Sequence, residues 1–245
     1  DDNAGLYDAL KSGSEVQSIF IFDTEILDKL ADKKDARITF IHTELVRLNE
    51  ELKEHGSTLK VYYGNPTKLW PQILKELQPA AVYTNRDYEP YAKERDTEVA
   101  RLLDSHNVNF HTFKDHVIFE IDEILKDDGT PYVVYTPYSR KWKQKLNDHY
   151  LKPYANSEYF QNFKKSVHTP ILSLNEMGFE KKTMPFPKKS TTLGIIKNYE
   201  EQRNFPAIEG TSRLSVHFRF GTISIRDKAA KGNKSSEKWL NELIW

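Results

Sequence analysis

Three hydroxyl side chains and an arginine fall within five residues at Thr211-Ser212-Arg213-Leu214-Ser215, directly after Gly210 and at the apparent start of a helix. Hydroxyls beside unpaired helix N–H donors suit a phosphate or pyrophosphate. The same pattern also serves as an ordinary N-cap. Charge favours an anion here without requiring one. The chain carries 36 basic and 36 acidic residues, yet up to Lys126 there are 16 against 24, net −8, and from Asp127 onward 20 against 12, net +8. A basic second part can bind anions or can simply be solvated. The absence of cysteine removes disulfides, thiolate nucleophiles, iron–sulfur clusters and cysteine-based zinc sites. His42, His55, His106, His111, His116 and His149 have no metal-ligand spacing, so no metal site is expected.

The elements that must position this segment begin with an α/β pattern. Val16 to Phe22 reads as a buried strand ending at Asp23, and Leu59 to Tyr63, Ala80 to Thr84 and Val108 to Phe113 as three more. Between them lie amphipathic helices over Ala36 to Glu54, Thr67 to Leu77 and Ala92 to His106; in the first, Ile38, Ile41, Leu45, Leu48 and Leu52 recur at spacings of three and four. Strand alternating with helix predicts a doubly wound parallel sheet covered on both faces. The chain enters a helix at Gly5 to Ser12 with no strand before it, so the first strand of such a sheet is expected to be missing. From Asp127 to Lys189 the pattern dissolves into Pro, Gly, Tyr, Lys and Asn around a short helix at Arg140 to Tyr150, which reads as a connector running over the surface. Helical character returns over Thr191 to Arg203 and from Leu214, Ser224 and Ser235 onward. The domains expected are 1–126, 127–190 and 191–245. Apolar runs such as Ile19-Phe20-Ile21-Phe22 are far shorter than the roughly 20 residues that span a bilayer, and the start is unlike a signal peptide. A soluble, cytoplasmic protein without a membrane partner is expected.

Three strings in order over residues 199–245 are more specific than any of these patterns. Tyr199-Glu200-Glu201-Gln202-Arg203 lies upstream of the hydroxyl loop, with Tyr199 twelve positions before Thr211; Phe220-Gly221-Thr222-Ile223-Ser224-Ile225-Arg226 follows it, and Trp239-Leu240-Asn241-Glu242-Leu243-Ile244-Trp245 ends the chain. Together they resemble the photolyase and cryptochrome flavoprotein family. Asn85-Arg86-Asp87-Tyr88-Glu89, Tyr135-Thr136-Pro137-Tyr138 with Trp142, and the opening Asp2-Asn3 are similar to further family segments in family order.

The resemblance implies an α/β antenna domain, a connector and the start of an all-helical FAD-binding domain. It implies FAD contacts for Tyr199, Thr211, Ser212, Leu214 and Ser215, with Trp239 lining the flavin pocket, and substrate contacts for Glu242 and Trp245. An indole face can stack on an extruded base; Glu242 has to be desolvated by burial to give up a proton to one. Arg213, Arg219 and Arg226 are expected at DNA phosphates, and Asn85 and Glu89 at an antenna chromophore, a folate or deazaflavin. The expected activity is light-driven splitting of cyclobutane pyrimidine dimers in UV-damaged DNA by electron transfer from reduced FAD, by a monomer. The family's remaining flavin-binding helices are expected beyond Trp245, so this chain alone is expected to bind FAD weakly or not at all and to repair nothing. Two other readings stay open: a cryptochrome that signals without repair, and an isolated nucleotide-binding α/β module.

Overall fold

Asp35 begins the longest helix by accepting a hydrogen bond from the Arg37 N–H at 2.7 Å, and Gly56, at φ 68°, lets the chain turn after it. Similar local logic sets each element of the first 113 residues in the computed structural model, which describes residues 2–245. The order is α1 (Ala4–Lys11), β1 (Ile19–Asp23), α2 (Thr24–Leu27), α3 (Ala36–Glu54), β2 (Lys60–Gly64), α4 (Pro66–Leu77), β3 (Ala81–Asn85), α5 (Pro90–Ser105) and β4 (Asn109–Phe113). Pro66 and Pro90 each stand in a first helical turn, where a missing N–H costs nothing. The four expected strands and the helices between them are all present, with ends shifted by a few residues.

The strands form two parallel pairs. β1 pairs with β2 (Ile19 opposite Lys60) and β3 with β4 (Ala81 opposite Asn109), and no ladder joins the pairs among the described residues. Ile38, Leu45 and Leu52 of α3 pack with Phe22 and Leu10 in one core. Trp70, Ile73 and Leu74 of α4 pack with Val99 and Leu103 of α5 in another. Both are apolar helix faces meeting the apolar faces of strands.

The stretch expected to run over the surface does not stay outside. The chain divides into two compact units, one of residues 4–113 with 155–186 and one of residues 2–3, 114–154 and 187–245. Within the first, Phe163, Leu174, Met177 and Phe179 are buried in the α3 core, and Val16 bridges Phe163. Their apolar positions follow neither helix nor strand period, which is why the sequence reads as a linker.

The second unit is helical: α6 (Tyr135–Lys145), α7 (Asp148–Leu151), α8 (Leu193–Lys197), α9 (Tyr199–Gln202), α10 (Ser215–Arg219), α11 (Ile225–Ser235) and α12 (Glu237–Ile244). The single helix expected over Thr191 to Arg203 is broken at Asn198 into α8 and α9. Trp142, Leu151, Ala229, Leu240 and Ile244 form one core of this unit, and Ile196, Leu214 and Trp239 a smaller one. No helix among the described residues is long and apolar enough to cross a membrane.

Candidate functional site

Most of the hydroxyl-rich segment is loop, since α10 begins only at Ser215. Gly210 allows this path: a Cβ there would sit 2.5 Å from Gln202 Cβ, so only glycine lets the loop lie against the end of α9. Arg213 adopts a left-handed conformation at φ 51°. Leu214, 1% exposed, anchors the loop in the smaller core. No backbone N–H from Thr211 to Val216 donates to another described residue, and the hydroxyls of Thr211, Ser212 and Ser215 make no hydrogen bond among the described residues. Six consecutive amides and three hydroxyls are thus left for solvent or a ligand. Polar groups presented in this way fit the oxygens of a diphosphate.

Beside the loop, α9 and α12 bring Tyr199, Arg203 and Glu242 together. Arg203 pairs with the Glu242 carboxylate, and its guanidinium lies 5.5 Å from the centre of the Tyr199 ring. Burial raises the Tyr199 pKa, and the negative charge of Glu242 raises it further. Glu242 itself is 45% exposed and ion-paired, so the burial that proton donation calls for is not provided by these residues. The string containing Arg203 is visible in the sequence, but its partner is 39 residues away.

Trp245 follows α12 with 69% of its surface exposed. Tyr135 and Tyr138 of α6 meet its ring edge-on at 5.6 and 5.7 Å, and the Tyr135 hydroxyl donates to the Asn241 carbonyl at 3.3 Å. The two tyrosines, unassigned from sequence, hold one side of an indole that stays largely open. Trp239 has the opposite environment. It is 2% exposed, packed with Leu214 and Ile196 and against Gly232, where a Cβ would come within 3.0 Å of the indole. In this structure it is a core residue supporting the loop.

Of the three arginines expected at DNA phosphates, Arg226 requires correction. Its Nε donates to both oxygens of Asp2 at 2.9 Å and its Nη2 to Asp115 at 2.6 Å, and its guanidinium lies 4.8 Å from the Tyr154 ring centre. The Arg226 side chain is 8% exposed, and those of Asp2 and Asp115 are 6% and 13% exposed. Burial alone would lower the Arg226 pKa, but the hydrogen bonds to Asp2 and Asp115 outweigh it and raise the value. Ser224 caps α11 by accepting from the Asp227 N–H at 2.9 Å and donates its own proton to Asp2. Gly221, at φ 62°, ends α10. The Phe220 to Arg226 string therefore encodes a helix stop, a helix start and a buried ion pair. A cavity of about 220 Å³ lies between this cluster and Glu242. Arg219 is exposed, and Arg213 is exposed and paired with Glu209 at 2.8 Å.

In the α/β unit, Asn85 and Glu89 stand at and just beyond the C-terminal end of β3, the side of a parallel sheet where ligands bind. Asn85 Oδ1 accepts the Gly5 N–H at 2.9 Å, which ties α1 to β3, so this oxygen already has a structural task. Glu89 is exposed and precedes α5 without capping it through its side chain. Asp23, at the C-terminal end of β1, accepts the Tyr91 hydroxyl at 2.6 Å.

The α/β unit is built of parallel strands with helices packed on them, and the helical unit presents a loop of free donors beside an ion-paired carboxylate and an exposed indole. The family model described as DNA photolyase matches residues 1–157, and the chain belongs to that family. It is 30% identical over 275 aligned positions to a deoxyribodipyrimidine photo-lyase of a Synechococcus species, covering all of this chain and 56% of the relative. It is 32% identical over 233 positions to the deoxyribodipyrimidine photo-lyase of Halobacterium salinarum, covering 90% of this chain and 48% of the relative. The chain thus spans about half the length of these two relatives. Among solved structures, a bacterial class III photolyase of Agrobacterium tumefaciens matches 98% of this chain and 53% of its own, at a TM-score of 0.77 and 20% identity, a likeness of fold.

Proposed function

We propose that this chain is part of an enzyme for light-driven repair of pyrimidine dimers, in which the loop at 210–215 holds the diphosphate of FAD and Trp245 meets the damaged base. The observation that carries the reading is the uncommitted donor strip from Thr211 to Val216. Bound there, FAD would supply the photoexcited electron that splits the dimer. The residues of the chain do the rest. Amides and hydroxyls of the loop bind the diphosphate, while Leu214 and Trp239 hold the loop in place from the core side. Tyr135 and Tyr138 keep the Trp245 indole presented for stacking on an extruded base, worth about 1–3 kcal/mol for each stacked base. Glu242, oriented by Arg203, offers carboxylate oxygens as acceptors to the edge of that base.

A thymine-dimer oligonucleotide and its undamaged counterpart, titrated with the chain by fluorescence anisotropy, test the substrate half of this reading. A preference of about tenfold for the dimer, largely lost in Trp245→Ala, corresponds to stacking of that size. Equal affinity for the two oligonucleotides, or a preference unchanged in Trp245→Ala, would refute the assignment.

A further inference from the structure

In the α/β unit, the chain between Thr169 and Lys182 is tied to α3 at three places. Asn49 Nδ2 donates to the Thr169 carbonyl at 2.9 Å, and His42 Nε2 donates to the Leu172 carbonyl at 2.9 Å. A carbonyl only accepts, so this second bond fixes the ring proton on Nε2. On the return the Lys182 N–H donates to Thr39 Oγ1 at 3.0 Å. Between the last two ties the chain makes a loop through a 3₁₀ turn at Asn175–Met177, anchored in the α3 core by Leu174, Met177 and Phe179. A cavity of about 340 Å³ is left between this loop and α3. Small-molecule sites run from roughly 300 to 1,000 Å³.

The chemistry of the cavity is one-sided. His42 and Val46 of α3 line it together with Leu174, Asn175 and Lys181, most of its surface is apolar, and no acidic residue lines it. Val46 is 41% exposed and is part of no core among the described residues. Around it α3 is charged and self-paired, with Arg47 at 3.1 Å from Glu44. The Thr43 hydroxyl, also at the cavity, donates to the Thr39 carbonyl at 2.8 Å. Two donors at the rim are not engaged: neither the Lys181 ammonium nor the Asn175 side-chain amide has a partner among the described residues. The acidic residues closest to them in sequence are already answered. Glu180 pairs with Lys34 at 2.9 Å, and Glu176 accepts the Ser173 N–H and hydroxyl at 2.8 and 2.7 Å. One ammonium and one amide beside an apolar floor match a single carboxylate carried on an apolar body.

We propose that this cavity binds a free small-molecule carboxylate with a hydrocarbon body. Its oxygens accept from Lys181 and Asn175, and its hydrocarbon lies on Val46 and Leu174. An exposed ion pair contributes little by itself, so charge and apolar contact act together. The site belongs to the α/β unit and does not rest on the repair reading.

Octanoate is the probe, titrated into the isotope-labelled full chain and followed through amide chemical shifts. Binding should be one to one and saturate at about millimolar concentration, the scale for a ligand of roughly ten non-hydrogen atoms, with Val46, Leu174 and Asn175 shifting most. Octanol keeps the hydrocarbon without the charge, and butyrate keeps the charge with half the hydrocarbon; each should bind more weakly than octanoate. Lys181→Gln should weaken octanoate about threefold to fivefold and leave octanol unchanged. Val46→Asp, which sets a carboxylate against the ligand, should abolish octanoate binding. Both positions are exposed, so neither change disturbs the core. The proposal is overturned by an absence of saturable binding, by shifts centred on other residues, by octanol or butyrate binding as tightly as octanoate, or by unchanged octanoate affinity in either variant.

Discussion

Replacing Arg226 with leucine is expected to destabilise the helical unit by about 3–5 kcal/mol, the cost of stranding buried carboxylates without their cation. Asp2 and Asp115 would lose the guanidinium that answers them both, and among the described residues Asp2 would keep the Ser224 hydroxyl and the Tyr154 N–H, which donates at 2.8 Å. For a unit of about 100 residues such a loss lowers the unfolding midpoint by more than about 10 °C. Arg226→Lys should fall between the two, since an ammonium is a point charge without the planar fork that reaches two carboxylates. The outcome separates two roles. A phosphate-binding arginine on the surface would leave stability within about 0.5 kcal/mol and would lower the salt dependence of DNA binding by about one unit of slope. Thermal melts and a salt titration of DNA binding on the same variant decide between them.

The second large effect concerns Trp239. Truncation to alanine should cost about 3–5 kcal/mol, because the indole fills the space among Ile196, Leu214 and Gly232 and the surroundings collapse only in part. Since Leu214 is the residue that pins the hydroxyl loop, flavin affinity and stability should fall together. A Trp239 that lined a ligand pocket would instead lose affinity with its unfolding midpoint unchanged. Calorimetry and a flavin titration, run in parallel on Trp239→Ala and on the milder Trp239→Phe, read both quantities.

What the sequence made legible follows the range of the interactions. α3 was readable because its apolar residues recur with the helical period over nineteen residues, and the strands because short β-branched and aromatic runs alternate with such helices. The hydroxyl loop was readable because its chemistry is contiguous. The role of Arg226 was not, because its partners Asp2 and Asp115 lie 224 and 111 residues away in sequence. Asn85, expected at a chromophore, is tied to Gly5 across 80 residues for the same reason. Phe163, Leu174, Met177 and Phe179 looked like linker because burial of an irregular segment leaves no period to find. Trp239 and Trp245 stand six residues apart on one helical stretch, yet one is 2% and the other 69% exposed. Only the packing of α12 distinguishes them.

The loop from Gly210 to Ser215 as the diphosphate seat is tested most directly by a flavin titration of the full chain. Fluorescence anisotropy should show weak but saturable binding of FAD, competed by ADP. Thr211→Val combined with Ser215→Ala should weaken it by about tenfold or more, since each hydrogen bond to a charged group contributes about 1.5–3 kcal/mol. Absence of saturable binding, or binding of equal strength in the double variant, would contradict the account.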